Sequence, residues 1–215
     1  MTSGGVPSER RREPPFDPTS WSGALIVMGV VTAGLFAIQI VNAGRHYSLN
    51  RFGLRPREID GLWGVLTQPF LHHSYGHLLS NAVPLIGIGW VLLLSGLRTW
   101  LTVSAIVVVV GGVAAWLVAP SGVVVGASAM IFGWLGYLLA RAYFSRQLKW
   151  IFVAVMVLLF FGTLLTSLLP SFDSHVSWES HACGFAAGIL AGGVLHQRPH
   201  RPGRGRTMPA RRTTG

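Results

Sequence analysis

Apolar residues gather along this chain into six long runs separated by polar breaks. The runs cover residues 21–43, 77–97, 100–119, 128–144, 149–169 and 177–195. A hydrocarbon core of about 30 Å is crossed by roughly 20 apolar residues of helix, so each run predicts one membrane-spanning helix, the fourth being the shortest. Residues 1–20 are polar, basic and Pro-rich. The run after them is too long for the apolar core of a cleavable signal and reads as a signal anchor. The longest connection is 44–76, whose second part, REIDGLWGVLTQPFLHHSYGH, sets Trp63, Leu66, Phe70 and Leu71 among polar residues at roughly helical spacing. This segment is expected to lie on, or dip into, the outer interface. The other connections are short. The predicted fold is an all-α polytopic membrane protein, a six-helix transmembrane bundle with a long first external loop. Its expected parts are an N-terminal tail (1–20), a six-span domain (21–195) and a basic disordered tail (196–215). No internal repeat is evident, which argues against a transporter built from duplicated halves.

Composition agrees with this pattern, since 11% of residues are charged against roughly 25% in a soluble domain. The net charge of +10 would suggest a nucleic-acid partner were the cations scattered, but they follow the topology. With both termini cytoplasmic, 13 of the 17 Lys and Arg fall inside and only Arg45, Arg51, Arg55 and Arg57 lie in the external loop, a positive-inside bias. No nucleic-acid partner is expected. The tail from Arg198 onward is read as a solvated end that grazes anionic lipid. Cys183 is the only cysteine, which excludes an intramolecular disulfide and a thiol-rich metal site.

Polar side chains inside spans are costly, so the retained ones carry information. Under the expected topology His77, Ser128 and His181 each fall within about the first turn of an even-numbered span, all at the outer level. A serine hydroxyl becomes a nucleophile when a base takes its proton, and His181 can serve. Gly126 lets the backbone turn tightly before Ser128, and a helix N-terminus presents free N–H groups to an oxyanion. Taken alone, serine beside Gly and Ala in a membrane helix is commonly a packing residue. Gly184, Gly188 and, more loosely, Gly192 share the face of His181, while Gly133, Gly136 and Ala140 form a matching stripe in the fourth span. The two helices are therefore expected to be neighbours, bringing Ser128 to His181. His77 and Asn81 lie one turn apart on one face and suit oxyanion donation. A metal held by His73 and His77 is disfavoured, because the helix is expected to start near His77 and no Glu motif or thiolate completes the site. His72 and His73 are otherwise assigned to bonds with loop backbone, and Asp173 and Glu179 are read as external loop charges.

These motifs resemble those of the rhomboid intramembrane serine proteases over essentially all six runs. HHSYGHLLSN is similar to the family's H-x-x-x-N, GASAMIFG to its serine motif, and HACGFAAG to its H-x-x-G-x-x-x-G. The resemblance implies a dyad of Ser128 and His181 without a third carboxylate, and an oxyanion site from His77, Asn81 and the Ser128 backbone N–H. It also implies Phe132 packing on the base, with Gly126, Gly184 and Gly188 in support. The implied activity is cleavage of transmembrane segments of other proteins, with no cofactor or metal, in a multi-pass protein of the cell membrane whose active site opens outward. Two departures stand out: Ala129 follows the serine where Gly is usual, and Gly64 follows Trp63 where many members carry Arg. The alternatives are a catalytically inactive rhomboid-like protein that binds transmembrane clients, and a small channel or transporter using its histidines as a relay.

Overall fold

The computed structural model describes residues 16–170 and 177–196. Long helical segments stand at all six predicted runs. They are α1 (Trp21–Gly44), α2 (Tyr75–Leu93), α3 (Leu97–Val118), α4 (Ser128–Ser145), α5 (Leu148–Phe161, continued by the 3-10 segment Gly162–Leu168) and α6 (Trp178–His196). The Ser20 hydroxyl caps α1 by accepting from Gly23 N–H, and Ser74 caps α2 by accepting from His77 N–H at 3.1 Å. Gly96, at φ +113°, turns the chain so that α3 starts immediately after α2. The second helix therefore ends short of the expected 97 and the third starts before 100. Within α3, Val107–Gly111 is π-helical, a local widening the apolar pattern does not announce. Glu179 belongs to the first turn of α6 rather than to a loop, where a carboxylate suits the positive helix end. Asp173, residues 1–15 and residues 197–215 lie outside the described residues.

Helices α1, α2, α3 and α5 with its 3-10 continuation are long and apolar enough to cross a membrane. The chain is thus an all-helical protein with four candidate membrane spans, and among the described residues the only strand-like pairing is one bridge between Leu54 and Val124. By the same measure α4 and α6 are less apolar than the pattern of six runs suggests. For α4 the environment explains it. Residues 131–138 of α4 are all buried, so α4 is enclosed by protein and needs small, fitting side chains more than a lipid-soluble surface.

Helix α4 meets α6 more extensively than any other pair of elements meets. A Cβ on Gly184 would run into the Ala129 carbonyl, one on Gly188 into the Gly133 carbonyl, and one on Gly192 would lie 2.6 Å from the Ala140 Cβ. The glycine face of α6 thus lies on α4 as the spacing predicts. The stripe on α4 is split in function, however: the bare side of Gly133 faces Val107 of the π segment, while that of Gly136 faces the Phe185 carbonyl. Around this pair, α1 runs antiparallel to α2, with Trp90 Nε1 donating to the Trp21 carbonyl at 3.0 Å.

Overpacking at a backbone contact costs roughly 1–3 kcal/mol or more. Gly188→Ala is accordingly expected to lower thermal stability in detergent by that order. Gly29→Ala, on a stretch of α1 with nothing within 4 Å of the added methyl, should be neutral or slightly stabilising. Equal effects of the two substitutions would count against the α4–α6 contact as the controlling one.

Candidate functional site

The approach to α4 is an extended segment that the 45–74 connection holds at successive points. Val124 exchanges both backbone hydrogen bonds with Leu54, at 2.8 and 2.9 Å. The Gly126 N–H donates to the Gln68 carbonyl at 2.9 Å, and the Ala127 N–H to His72 Nε2 at 3.4 Å. His72 is fully buried, and its own carbonyl accepts from the Asn42 and Asn50 amides at 3.5 and 3.4 Å. The assignment of His72 to loop backbone is therefore met. Burial, helped by neighbouring His77 and His73, pushes the His72 pKa down from 6.5 to about 4, so the ring is neutral and free to accept. The connection is also amphipathic: Ile59 and Trp63 are largely exposed, whereas Leu54 and Val65 are buried. Gly64 sits where a Cβ would strike the Leu54 backbone, so the arginine carried there by many rhomboids has no room. Of the arginines in this connection, Arg55 is paired with Glu58 at 2.7 Å and with Asp60.

Gly126 takes φ +128°, and a methyl on it would lie 2.8 Å from His77 Cε1. Two constraints therefore select glycine, one of backbone conformation and one of space. The turn delivers Ser128 as the first residue of α4, and its hydroxyl lies 2.9 Å from His181 Nε2. His181 Nδ1 lies 3.1 Å from the Ser167 carbonyl in the 3-10 end of α5. A carbonyl oxygen can only accept. Nδ1 must therefore carry the proton, which leaves Nε2 bare to accept from the Ser128 hydroxyl. Phe132, one turn into α4, stacks on the imidazole with centroids 4.5 Å apart and 23° between planes. His181 is thus held on three sides, by a hydroxyl, a carbonyl and an aromatic face, in the orientation in which it can take the serine proton.

A cavity of about 220 Å³ opens at the N-terminal ends of α2, α4 and α6, and Ser128, His181, His77, Asn81 and Gly126 all line it. Asn81 spends one amide hydrogen on the His77 carbonyl at 3.1 Å, leaving the second unspent by that bond. His73 precedes the first residue of α2 and stacks on His77 at 6.0 Å, so these two histidines do not share a helix. Among the described residues no group of three or more His, Cys, Asp or Glu is placed to hold a metal ion. The cavity thus brings together Ser128, His181, His77, Asn81, Gly126 and Phe132, whereas Gly184 and Gly188 lie outside it, in the α4–α6 contact. Sequence reasoning missed the carbonyls of Ser167 and Gln68 and the Leu54–Val124 bridge. Backbone acceptors leave no residue-type signature, and only the β-branched run Val123–Val125 hinted at an extended approach.

The family model described as Rhomboid domain matches residues 60–198. The chain is 32% identical over 200 residues to the uncharacterized protein Rv1337 of Mycobacterium tuberculosis, covering 88% of this chain and 83% of that one. It is 32% identical over 183 residues to the uncharacterized protein ML1171 of Mycobacterium leprae, with 81% and 72% covered. With RHOMBOID-like protein 4 of Arabidopsis thaliana it shares 30% identity over 157 residues, 66% of this chain and 36% of that protein. The chain belongs to the rhomboid family.

His72 supplies a pH test of the clamp. Its folded pKa lies below the unfolded value, so the unfolded chain binds more protons between pH 6.5 and about 4, and stability falls as pH drops through that window. From pH 7 to pH 5 the contribution of His72 is a loss of roughly 2 kcal/mol. His72→Gln, which keeps an acceptor for Ala127 N–H but does not titrate, should lose less by that amount in unfolding titrations at the two pH values. An unchanged pH slope in the variant would contradict the assignment.

Proposed function

We propose that the protein is an intramembrane serine endopeptidase. The observation that carries this reading is the 2.9 Å approach of Ser128 Oγ to His181 Nε2, with Nδ1 turned to the Ser167 carbonyl. Ser128 attacks the carbonyl carbon of a scissile peptide bond while His181 takes the hydroxyl proton. His181 then returns that proton to the leaving amine, and an acyl-enzyme remains. Water attacks the ester with His181 again as base, releasing the new carboxylate and restoring the hydroxyl. The oxyanion of each tetrahedral intermediate is met by the Ser128 N–H at the start of α4, by the Asn81 amide and by His77.

The substrates of this reading are transmembrane segments of other membrane proteins, locally unwound so that a backbone carbonyl reaches the cavity. All six helices of the domain 21–195 then span the membrane, both termini are cytoplasmic, and the cavity opens toward the outer side. The cation distribution supports that orientation. Multi-pass membrane residence itself follows from the four apolar helices and the family.

Ser128→Ala is expected to abolish labelling by a fluorophosphonate and to lower cleavage of a reporter transmembrane protein by about a thousandfold or more. His181→Ala should lose both readouts to a similar degree, because the two side chains act as a unit. Undiminished labelling or cleavage in the serine variant would remove the dyad. A client bound by the wild type but never acylated or cut would favour the non-catalytic reading.

A further inference from the structure

The far end of the bundle, where α3 and α5 begin and α4 and α6 end, holds a second cavity of about 540 Å³. Its cations are Arg98, Arg141 and Lys149, with Tyr137, Trp150 and His196 also on its wall. Arg141 is pre-arranged: Nη1 donates to the Tyr137 hydroxyl at 2.9 Å, and the guanidinium lies 3.7 Å over the Trp150 ring. Neither contact supplies negative charge. Among the described residues the ion pairs are those of Arg55, in the 45–74 connection at the opposite end. From Gly61 to Phe172 the sequence contains no Asp or Glu. Asp17, near the start of α1, is engaged with the Thr19 backbone and hydroxyl at 2.9 and 2.8 Å.

Helix geometry adds to the side chains. Both α3 and α5 start at this cavity, at Leu97 and Leu148, and neither has a side-chain cap, Gly96 and Gln147 making none. Their first-turn N–H groups and positive dipole ends therefore reinforce the three cations. Leu148, between the wall residues Gln147 and Lys149, is 81% exposed, and the exposed ring of Phe144 stacks on His196 at 6.1 Å, an apolar rim beside a charged pocket. That combination fits a headgroup with acyl chains better than a free anion.

The geometry points to a binding site for the phosphate headgroup of an anionic phospholipid, formed by Arg98, Arg141 and Lys149 at the ends of α3, α4 and α5. Arg141 provides the oriented fork, and Arg98 and Lys149 close over the phosphate from the two uncapped helix starts. The site is independent of the Ser128–His181 chemistry and needs only the helix ends to lie at the membrane surface.

Native mass spectrometry of the full-length protein in detergent, offered equimolar phosphatidylglycerol and phosphatidylcholine, tests it. The wild type should retain a single phosphatidylglycerol in preference to phosphatidylcholine by at least about tenfold. Arg98→Gln with Lys149→Gln, both at exposed positions, should bring that ratio close to one with the melting temperature nearly unchanged, and Arg141→Gln should lower the ratio likewise, with some loss of stability from its Tyr137 and Trp150 contacts. Arg211→Gln with Arg212→Gln should leave the preference intact. Equal retention of the two lipids by the wild type, or an unchanged preference in the Arg98/Lys149 variant, would overturn the proposal. So would loss of the preference in the tail variant, or displacement of the lipid by millimolar inorganic phosphate.

Discussion

Contact of backbone with backbone between α4 and α6 sets the geometry on which the rest of the molecule depends. Gly184 and Gly188 lay bare Cα atoms against the carbonyls of Ala129 and Gly133, and any side chain there would push the axes apart. In lipid no hydrophobic force draws helices together, so association rests on dispersion and polar contacts that grow as the backbones close. An imidazole has limited reach. His181, three residues before Gly184, meets Ser128, one residue before Ala129, because that contact is tight. A larger residue at either glycine would therefore alter stability and the Ser128–His181 distance by the same displacement.

The second constraint acts along the chain. Ser128 heads its helix, and a helix end is where a backbone is least fixed by its own hydrogen bonds. The extended residues before it are instead fixed from outside, by Leu54, by the Gln68 carbonyl and by the ring of His72. The long connection between α1 and α2 thus acts as a clamp on the serine turn. Its outward apolar residues, Ile59 and Trp63, give it a face for the interface. Both properties follow from one amphipathic segment, whose buried side holds Val124 and whose exposed side meets a different medium.

Much of this was legible in the sequence. The apolar runs place the helices to within a few residues, in the four candidate spans because lipid exposure demands continuous apolarity, and the glycine offsets after His181 name its partner helix because close approach demands missing side chains. What escaped was of another kind. The π-helical stretch at Val107–Gly111 arises where α3 fits Gly133 and Gly184 of two neighbours, a tertiary demand with no local pattern. Gly64 reads as a departure from the family until the Leu54 backbone is seen beside it. The acceptor for His181 Nδ1 is a main-chain carbonyl, for which Ser167 as a residue type carries no information.

That carbonyl has a physical rationale. A carboxylate at Nδ1 would fix the same tautomer and stabilise an imidazolium more strongly, but an ionised acid buried among helices is costly unless fully paired. The Ser167 oxygen fixes the tautomer without burying a charge. In the proposed mechanism the imidazolium is then stabilised by a dipole, the aromatic face of Phe132 and the developing oxyanion, so more of the stabilisation depends on the transition state itself. There is a further consequence for coupling. Helix α5 has the smallest buried share of the four candidate spans, and it carries the group that orients His181. A displacement of its 3-10 end that moved Ser167 away would release Nδ1 and allow the imidazole to turn or change tautomer. The orientation of the base is therefore linked to the seating of the candidate span least enclosed by the rest of the protein, a link that a carboxylate on α6 itself would not create.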